Sequence, residues 1–307
     1  MLSKTVRILN FDDSITGQKN LCKIYLPHII ELKDVGRACR LWMDKKTKQQ
    51  INKVLDPEEI NSITFLGSGD FHHISSLLIE QFDEDFCVVI FDLHPDLDNL
   101  PPRFSCGSWV NLVAARMAVK KIIILGPSSE DLTFPNNLTF NFSWFKDARI
   151  ELYPFHHAPT RMLFKNLHDN HFIHTNKNGF LQTITWENLI NKDIEVVITD
   201  ILERLPTQNI YISIDKDCLN WNYAVTNWEP GIMSLNWLLK ALKVLKDKAT
   251  IIGMDIVGDY SRINVKSIFK KICINWDHPR QLAEELSLQK IREINETTNL
   301  KILELFL

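Results

Sequence analysis

Two short stretches carry side chains whose types and spacing suit metal chemistry. Asp92-Leu-His94-Pro-Asp96 follows the apolar run FCVVIF, and Asp215-Lys-Asp217 follows IYIS. Each sets candidate ligands two residues apart, the period that keeps side chains on one side of an extended segment. A third stretch, GSGDFHH, follows the apolar run ITFL and offers His72 and His73 beside glycines. Held together without counter-charge, Asp92, Asp96, Asp215 and Asp217 repel one another and resist ionisation. Divalent cations remove that repulsion and turn carboxylates and imidazoles into ligands. A single DxD is more often a cap or a solvated turn, and a histidine pair is more often surface or satisfied core. Two acid clusters and a glycine-flanked histidine, all at the ends of apolar runs, favour metal over coincidence.

The elements that must position these residues are read from periodicity. Near-continuous apolar runs at 63–66, 86–91, 122–125, 194–198, 210–213 and 251–256 predict strands covered on both faces. Helical spacing at 73–82, 109–117, 235–245 and 281–294 falls between or after them. Strands alternating with helices predict a largely parallel sheet, with sites beyond the strands' carboxyl ends, where the three clusters converge. Polar stretches at 128–137 and 168–179 read as loops, and no repeat or linker divides the chain, so one domain over 1–307 is expected. The first sixty residues offer a strand at 6–11 and an apolar segment at 21–30, expected to complete the sheet.

Composition excludes more than it identifies. A net charge of −3 argues against a general nucleic-acid binder. The six cysteines lack CxxC spacing and read as reduced thiols of a cytoplasmic protein, with Cys106 and Cys218 flanking motifs. No apolar stretch approaches the roughly 18 residues of a membrane span, and the N-terminus lacks an export signal.

In this order the motifs resemble the arginase/agmatinase (ureohydrolase) superfamily. GSGDFHH looks like its Gly-Gly-Asp-His segment, DLHPD fits Asp-x-His-x-Asp, SIDKD fits the start of Ser-x-Asp-x-Asp-x-x-Asp-Pro, and GMDIVGD resembles Leu-Asp-Ile-x-Glu. The resemblance implies a three-layer α/β/α fold with a mostly parallel sheet and a centre of two Mn2+ ions. Carried over by position, Asp92 and Asp215 bridge the ions, His94 and Asp217 complete one shell, and Asp96 and His72 the other. His73 competes with His72 because the first motif is longer here, and His72 is favoured. The implied activity is hydrolysis of a C–N bond in a guanidine or amidine, arginine- or agmatine-like and free or as peptide arginine, by a metal-bridging hydroxide. Asp96 would pass a proton to the leaving amine. A homo-oligomer is a further expectation.

The departures fall on substrate recognition. Gly258 stands where family members that cut guanidines place a Glu, SIDKD continues Cys-Leu-Asn rather than toward Asp-Pro, and the loop FSCGSWV lacks the shuttle histidine. A buried guanidinium without a carboxylate costs several kcal/mol, so another acid must stand in or the substrate differs. Glu229 and Asp259 are the candidate catalytic stand-ins; against Glu229 stands an exposed loop acid before proline. Asp255 reads as a structural hydrogen-bonding group. Trp109, Trp221 and Trp228 are candidates to line a pocket, and His156 or His157 to replace the shuttle. Two other readings remain: a deacetylase-like amidohydrolase with one zinc, and a metal-binding homologue without turnover.

Overall fold

The computed structural model describes residues 1–102, 104–163, 166–278 and 285–307. Among these residues eleven strands form: β1 Val6–Asn10, β2 His28–Glu31, β3 Ile63–Gly67, β4 Phe86–Phe91, β5 Val119–Gly126, β6 Ile150–Pro154, β7 Thr160–Leu163, β8 Ile173–Asn178, β9 Leu181–Trp186, β10 Asn209–Asp215 and β11 Thr250–Val257. Eight of them make one sheet in the order β2-β1-β3-β11-β10-β4-β5-β6. Every pairing in it is parallel. Its centre is buried on both faces, which is why β4 reads FCVVIF without alternation. Each of those side chains removed from water contributes on the order of 1.5–3 kcal/mol.

Helices cover both faces, giving three layers. One layer packs Ile194–Glu203 against Leu235–Lys248, and that helix against Leu288–Phe306; the other pairs Ser75–Ile79 with Trp109–Ala114. From β1 the chain steps outward to β2 and returns to β3 on the other side of β1; from β4 it steps outward to β5 and β6, and β10 and β11 are inserted between β4 and β3. The crevice beyond the carboxyl ends at this reversal is where such sheets place sites. The first sixty residues extend the sheet as expected, through β1 and β2.

Several local expectations need correction. The run 194–198 is helical, within Ile194–Glu203: Asp193 caps it by accepting from the Glu195 N–H, and Ile194, Ile198, Ile201 and Leu202 form the buried stripe. An apolar run this short fits either period, and the cap decides it. The polar stretch 168–179 contains β8, which pairs antiparallel with β9 in a small sheet of order β7-β9-β8. Helical spacing at 73–82 resolves into a 3-10 turn, Gly69–Ile74, followed by Ser75–Ile79, and that at 109–117 ends at Ala114. Of the stretch 281–294, residues 281–284 lie outside the described ones; the helix runs Leu288–Phe306 with Ser287 as its cap. Among the described residues no helix is long and apolar enough to cross a membrane, and all six cysteines are free thiols.

Candidate metal centre

β4 ends at Phe91, and Asp92 begins the turn that carries His94 and Asp96. The three converge because Asp92 Oδ1 accepts the His94 N–H (2.7 Å) and Asp96 takes a left-handed conformation (φ 50°), not because strand alternation continues. Aspartate tolerates that region better than most residues. β10 delivers Asp215, whose Oδ1 accepts the Asp217 N–H at 3.0 Å, so the next turn points Asp217 to the same place. β3 delivers the 3-10 turn Gly69–Ile74 that carries His72.

The structure brings together the residues singled out by spacing. His72 Nδ1 lies 3.1 Å from Asp92 Oδ2, 3.3 Å from Asp96 Oδ2 and 3.4 Å from Asp215 Oδ2. His94 Nδ1 lies 3.0 Å from Asp217 Oδ2 and 3.8 Å from Asp92 Oδ1. Two triads result, His72/Asp92/Asp96 and Asp92/His94/Asp217, each with its ligand atoms within 4.8 Å of one another. Asp92 belongs to both. His73, by contrast, is buried with neither ring nitrogen hydrogen-bonded, and burial pushes its pKa down to about 3.

The outer hydrogen bonds fix both imidazoles in the same sense. Ser213 Oγ donates to Asp255 (2.8 Å) and so accepts from His72 Nε2 (3.0 Å). Glu229 Oε1 accepts from His94 Nε2 at 3.1 Å. Each ring therefore carries its proton on Nε2 when neutral and turns the Nδ1 lone pair toward carboxylates, an arrangement that is repulsive unless a cation lies between. Burial first, then Asp96 and Asp217, raise the Asp92 pKa well above the ordinary carboxylate value. Burial and Asp217 raise that of Asp215 to about 8. Burial alone would lower both histidines, but Asp92 and Asp96 around His72, and Asp217 and Glu229 around His94, outweigh it and raise them well above 6.5. Hard oxygen donors with two imidazoles, crowded to the point of holding protons, fit a pair of divalent ions.

A pH dependence follows, with a definite sign. Asp215 folds with a pKa of about 8 against 3.8 for a free carboxylate, so between these values the folded state holds a proton that the unfolded state has lost. Raised histidines act alike: their contribution is complete below the unfolded value and is lost as pH rises through the folded one. Metal-free protein should therefore lose stability from about pH 4 to pH 8, by on the order of a few kcal/mol, and Mn2+ should rescue it most at the alkaline end. Melting of chelated protein across this range checks it; a melting temperature rising with pH contradicts it.

The other candidates divide. Glu229 lines the cavity at the centre, but its bond to His94 makes it a positioning residue. Glu229→Ala should weaken Mn2+ binding by about 10–100-fold while Glu229→Gln, which keeps the acceptor, costs less; Mn2+ titration reads both. Asp259 does not line the cavity. It is buried, paired with Lys216 Nζ at 2.7 Å and bonded by Gln18 and Asn299, so its carboxylate is already engaged away from the cavity. Asp255 accepts from Ser75, Tyr211 and Ser213, a structural hub. Trp109 is buried and donates to Asp96 Oδ2 at 2.6 Å; Trp228 lines the cavity; Trp221 does not. His156 and His157 likewise do not line the cavity.

Other site residues escaped the sequence reading. Asp70 accepts from Arg40, Trp228 Nε1 (3.1 Å) and His278 Nε2 (2.9 Å). Burial opposes its ionisation, but Arg40 and His278 outweigh this and hold its pKa at about 2. This buried network anchors the turn bearing His72, and its members, spread over the chain, share no spacing a sequence could show. Glu130 and Asp131, in the turn after β5, also line the cavity. Their signal was present: acids just beyond the carboxyl end of a strand. The cavity measures about 620 Å3, with the triads at its base and Trp42, Leu100, Pro101, Phe140 and Trp276 among its walls.

A parallel three-layer α/β/α fold with two carboxylate–imidazole triads sharing one aspartate defines a class: a candidate binuclear metalloprotein. The model described as "Arginase family" matches residues 164–259. An uncharacterized protein of Thermotoga maritima is 25% identical over 198 residues, 64% of this chain and 58% of that relative, so the match spans little more than half of the relative's length. Among solved structures, an arginase of Entamoeba histolytica is similar over 100% of this chain and 99% of its own, at 14% identity and a TM-score of 0.56. A formiminoglutamase of Trypanosoma cruzi, solved with Mn2+, is similar over 99% and 94%, at 9% identity and a TM-score of 0.55. The chain is thus similar to the arginase family over residues 164–259, and it shares the fold of these solved structures.

Proposed function

We propose that the protein is a binuclear manganese hydrolase cutting a C–N bond in a guanidine- or amidine-type substrate. The observation that carries this is the pair of triads sharing Asp92 at the base of an acid-lined cavity. Asp92, His72 and Asp96 would hold one ion and Asp92, His94 and Asp217 the other, with Asp215 beside His72; the Mn2+ of the Trypanosoma cruzi neighbour supports the choice of metal. Two such ions, when bound, supply Lewis-acid neutralisation and a water acidified to act near neutral pH. Sharing of one carboxylate by two triads favours two ions over the single zinc of a deacetylase.

The chain's own residues hold and orient. Asp96, fixed by Trp109, is the group placed to move a proton at the base of the cavity. No Lys or Arg lines the cavity among the described residues, so its field selects a cation. Glu229 is engaged by His94, whereas Asp131 accepts from Ser129 Oγ at 3.0 Å. Asp131 is therefore our candidate for the acid that takes the substrate's positive group.

A screen of guanidino and amidino compounds for urea or ammonia release, with Mn2+ supplied, tests the reading. Turnover of at least one, with Asp131→Asn raising its KM about tenfold or more at little cost in kcat, is expected. Silence across a broad panel by protein with two ions bound would instead support a metal-binding homologue without turnover.

A further inference from the structure

The helix Ile268–Asp277 contributes Cys273 and Trp276 to the cavity wall and carries an apolar stripe that is exposed among the described residues. Ile268 is 72% exposed, Phe269 76%, Ile272 51% and Trp276 87%. Positions 268, 272 and 276 repeat at helical spacing, with 269 beside them, so they share one face. The opposite face is fixed to the body: Ile274 is buried, and Lys270 Nζ donates to the carbonyls of Ala38 (2.6 Å), Arg40 (2.7 Å) and Trp42 (2.6 Å). The stripe is thus held in place, and Trp276 belongs to both the stripe and the cavity wall.

We propose that this stripe docks a polypeptide substrate whose guanidinium-bearing side chain enters the cavity, a refinement that rests on the function proposed above. Two observations point to that occupant. Besides its two histidines the cavity presents Asp98, Glu130, Asp131 and Glu229 and, among the described residues, no Lys or Arg, which favours an entering group of positive charge. The stripe adjoining it is apolar and about 12 Å long, so a free amino-acid-sized guanidine cannot reach along it, whereas about four extended residues span it. Its exposed area, roughly 600 Å2, suits a transient dock. A stable self-association needs about 800 Å2 from each partner, more than the stripe provides.

The test uses full-length, Mn2+-loaded protein. Its probes are a fluorescent peptide with arginine between leucine and phenylalanine, the same peptide with glutamine for arginine, and N-acetylarginine amide as competitor. The expected result is that the arginine peptide binds at least tenfold more tightly than either the glutamine peptide or the amide. The double variant Phe269→Asp/Ile272→Asp, away from the cavity wall, should lose at least tenfold for the peptide with unchanged amide affinity and Mn2+ content. Equal binding of peptide and amide, or a variant that binds peptide like the parent, would overturn the proposal. So would sedimentation showing a dimer that the double variant dissociates, or vesicle binding that it abolishes, since the stripe would then serve a second copy or a lipid surface. Peptide binding sensitive to the double variant, without release of urea or ammonia, would uphold the dock while refuting the hydrolytic reading.

Discussion

Asp92→Asn should remove both ions at once and lower hydrolysis by more than about 10³-fold, beyond the 10–100-fold that outer partners of a metal site carry. Asp92 is the one residue common to the two triads, so neither half keeps its three donors without it. Asparagine retains the oxygen that accepts the His94 N–H, so the turn itself should survive. Metal-free, the substitution should have the opposite sign on stability. Asp92 sits buried against Asp96 and Asp217, and neutralising it relieves that crowding, so the chelated variant should exceed the chelated parent by on the order of 1–3 kcal/mol. Mn2+ should then raise the melting temperature of the parent and leave the variant unmoved. A variant that keeps two ions per chain contradicts the assignment of Asp92 to both triads.

Gly258→Ala should be strongly damaging. Gly258 has φ +87°, where an L side chain is strained, and an added Cβ would lie 2.4 Å from Asp215 Oδ1 and 2.6 Å from the Lys216 N. Neither neighbour is free to retreat: the one is packed in the carboxylate cluster and the other is backbone. A loss of about 3 kcal/mol or more is expected, together with weakened Mn2+ binding through displacement of Asp215. Gly258→Glu, which writes the family's acid back into the sequence, should fail for the same reason and restore no guanidine hydrolysis. The missing Glu is thus built into the backbone of this chain, which moves the search for the cation's partner to other walls of the cavity. Thermal melting and Mn2+ titration of both variants check this; a stable Gly258→Glu protein with normal metal binding contradicts it.

The parts of this molecule that could be read from its sequence are those written contiguously. FCVVIF followed by DLHPD states a buried strand and its candidate ligands in eleven residues, and IYISIDKD states the next. His72 could be set above His73 only weakly, because choosing between adjacent imidazoles requires knowing that Ser213 lies beside one of them. The surroundings of Asp259 were hidden for a related reason: Lys216, Gln18 and Asn299, which engage its carboxylate, come from remote parts of the chain. The run 194–198 shows a different limit, since five apolar residues satisfy both periods and only Asp193, one residue upstream, marks the helix start. Glu130 and Asp131 looked like ordinary solvated loop acids until β5 placed their turn against the cavity. Helix Ile268–Asp277 was missed because its apolar residues fall on both its faces, and an exposed stripe blurs the pattern that a buried one would sharpen.

The most direct test of the central claim is anomalous diffraction at the manganese edge from crystals grown with Mn2+. Two peaks a few ångströms apart are expected, with Asp92 between them, His72 Nδ1 and Asp96 on one, and His94 Nδ1 and Asp217 on the other. A single peak, or none with the carboxylates turned away from one another, would contradict it.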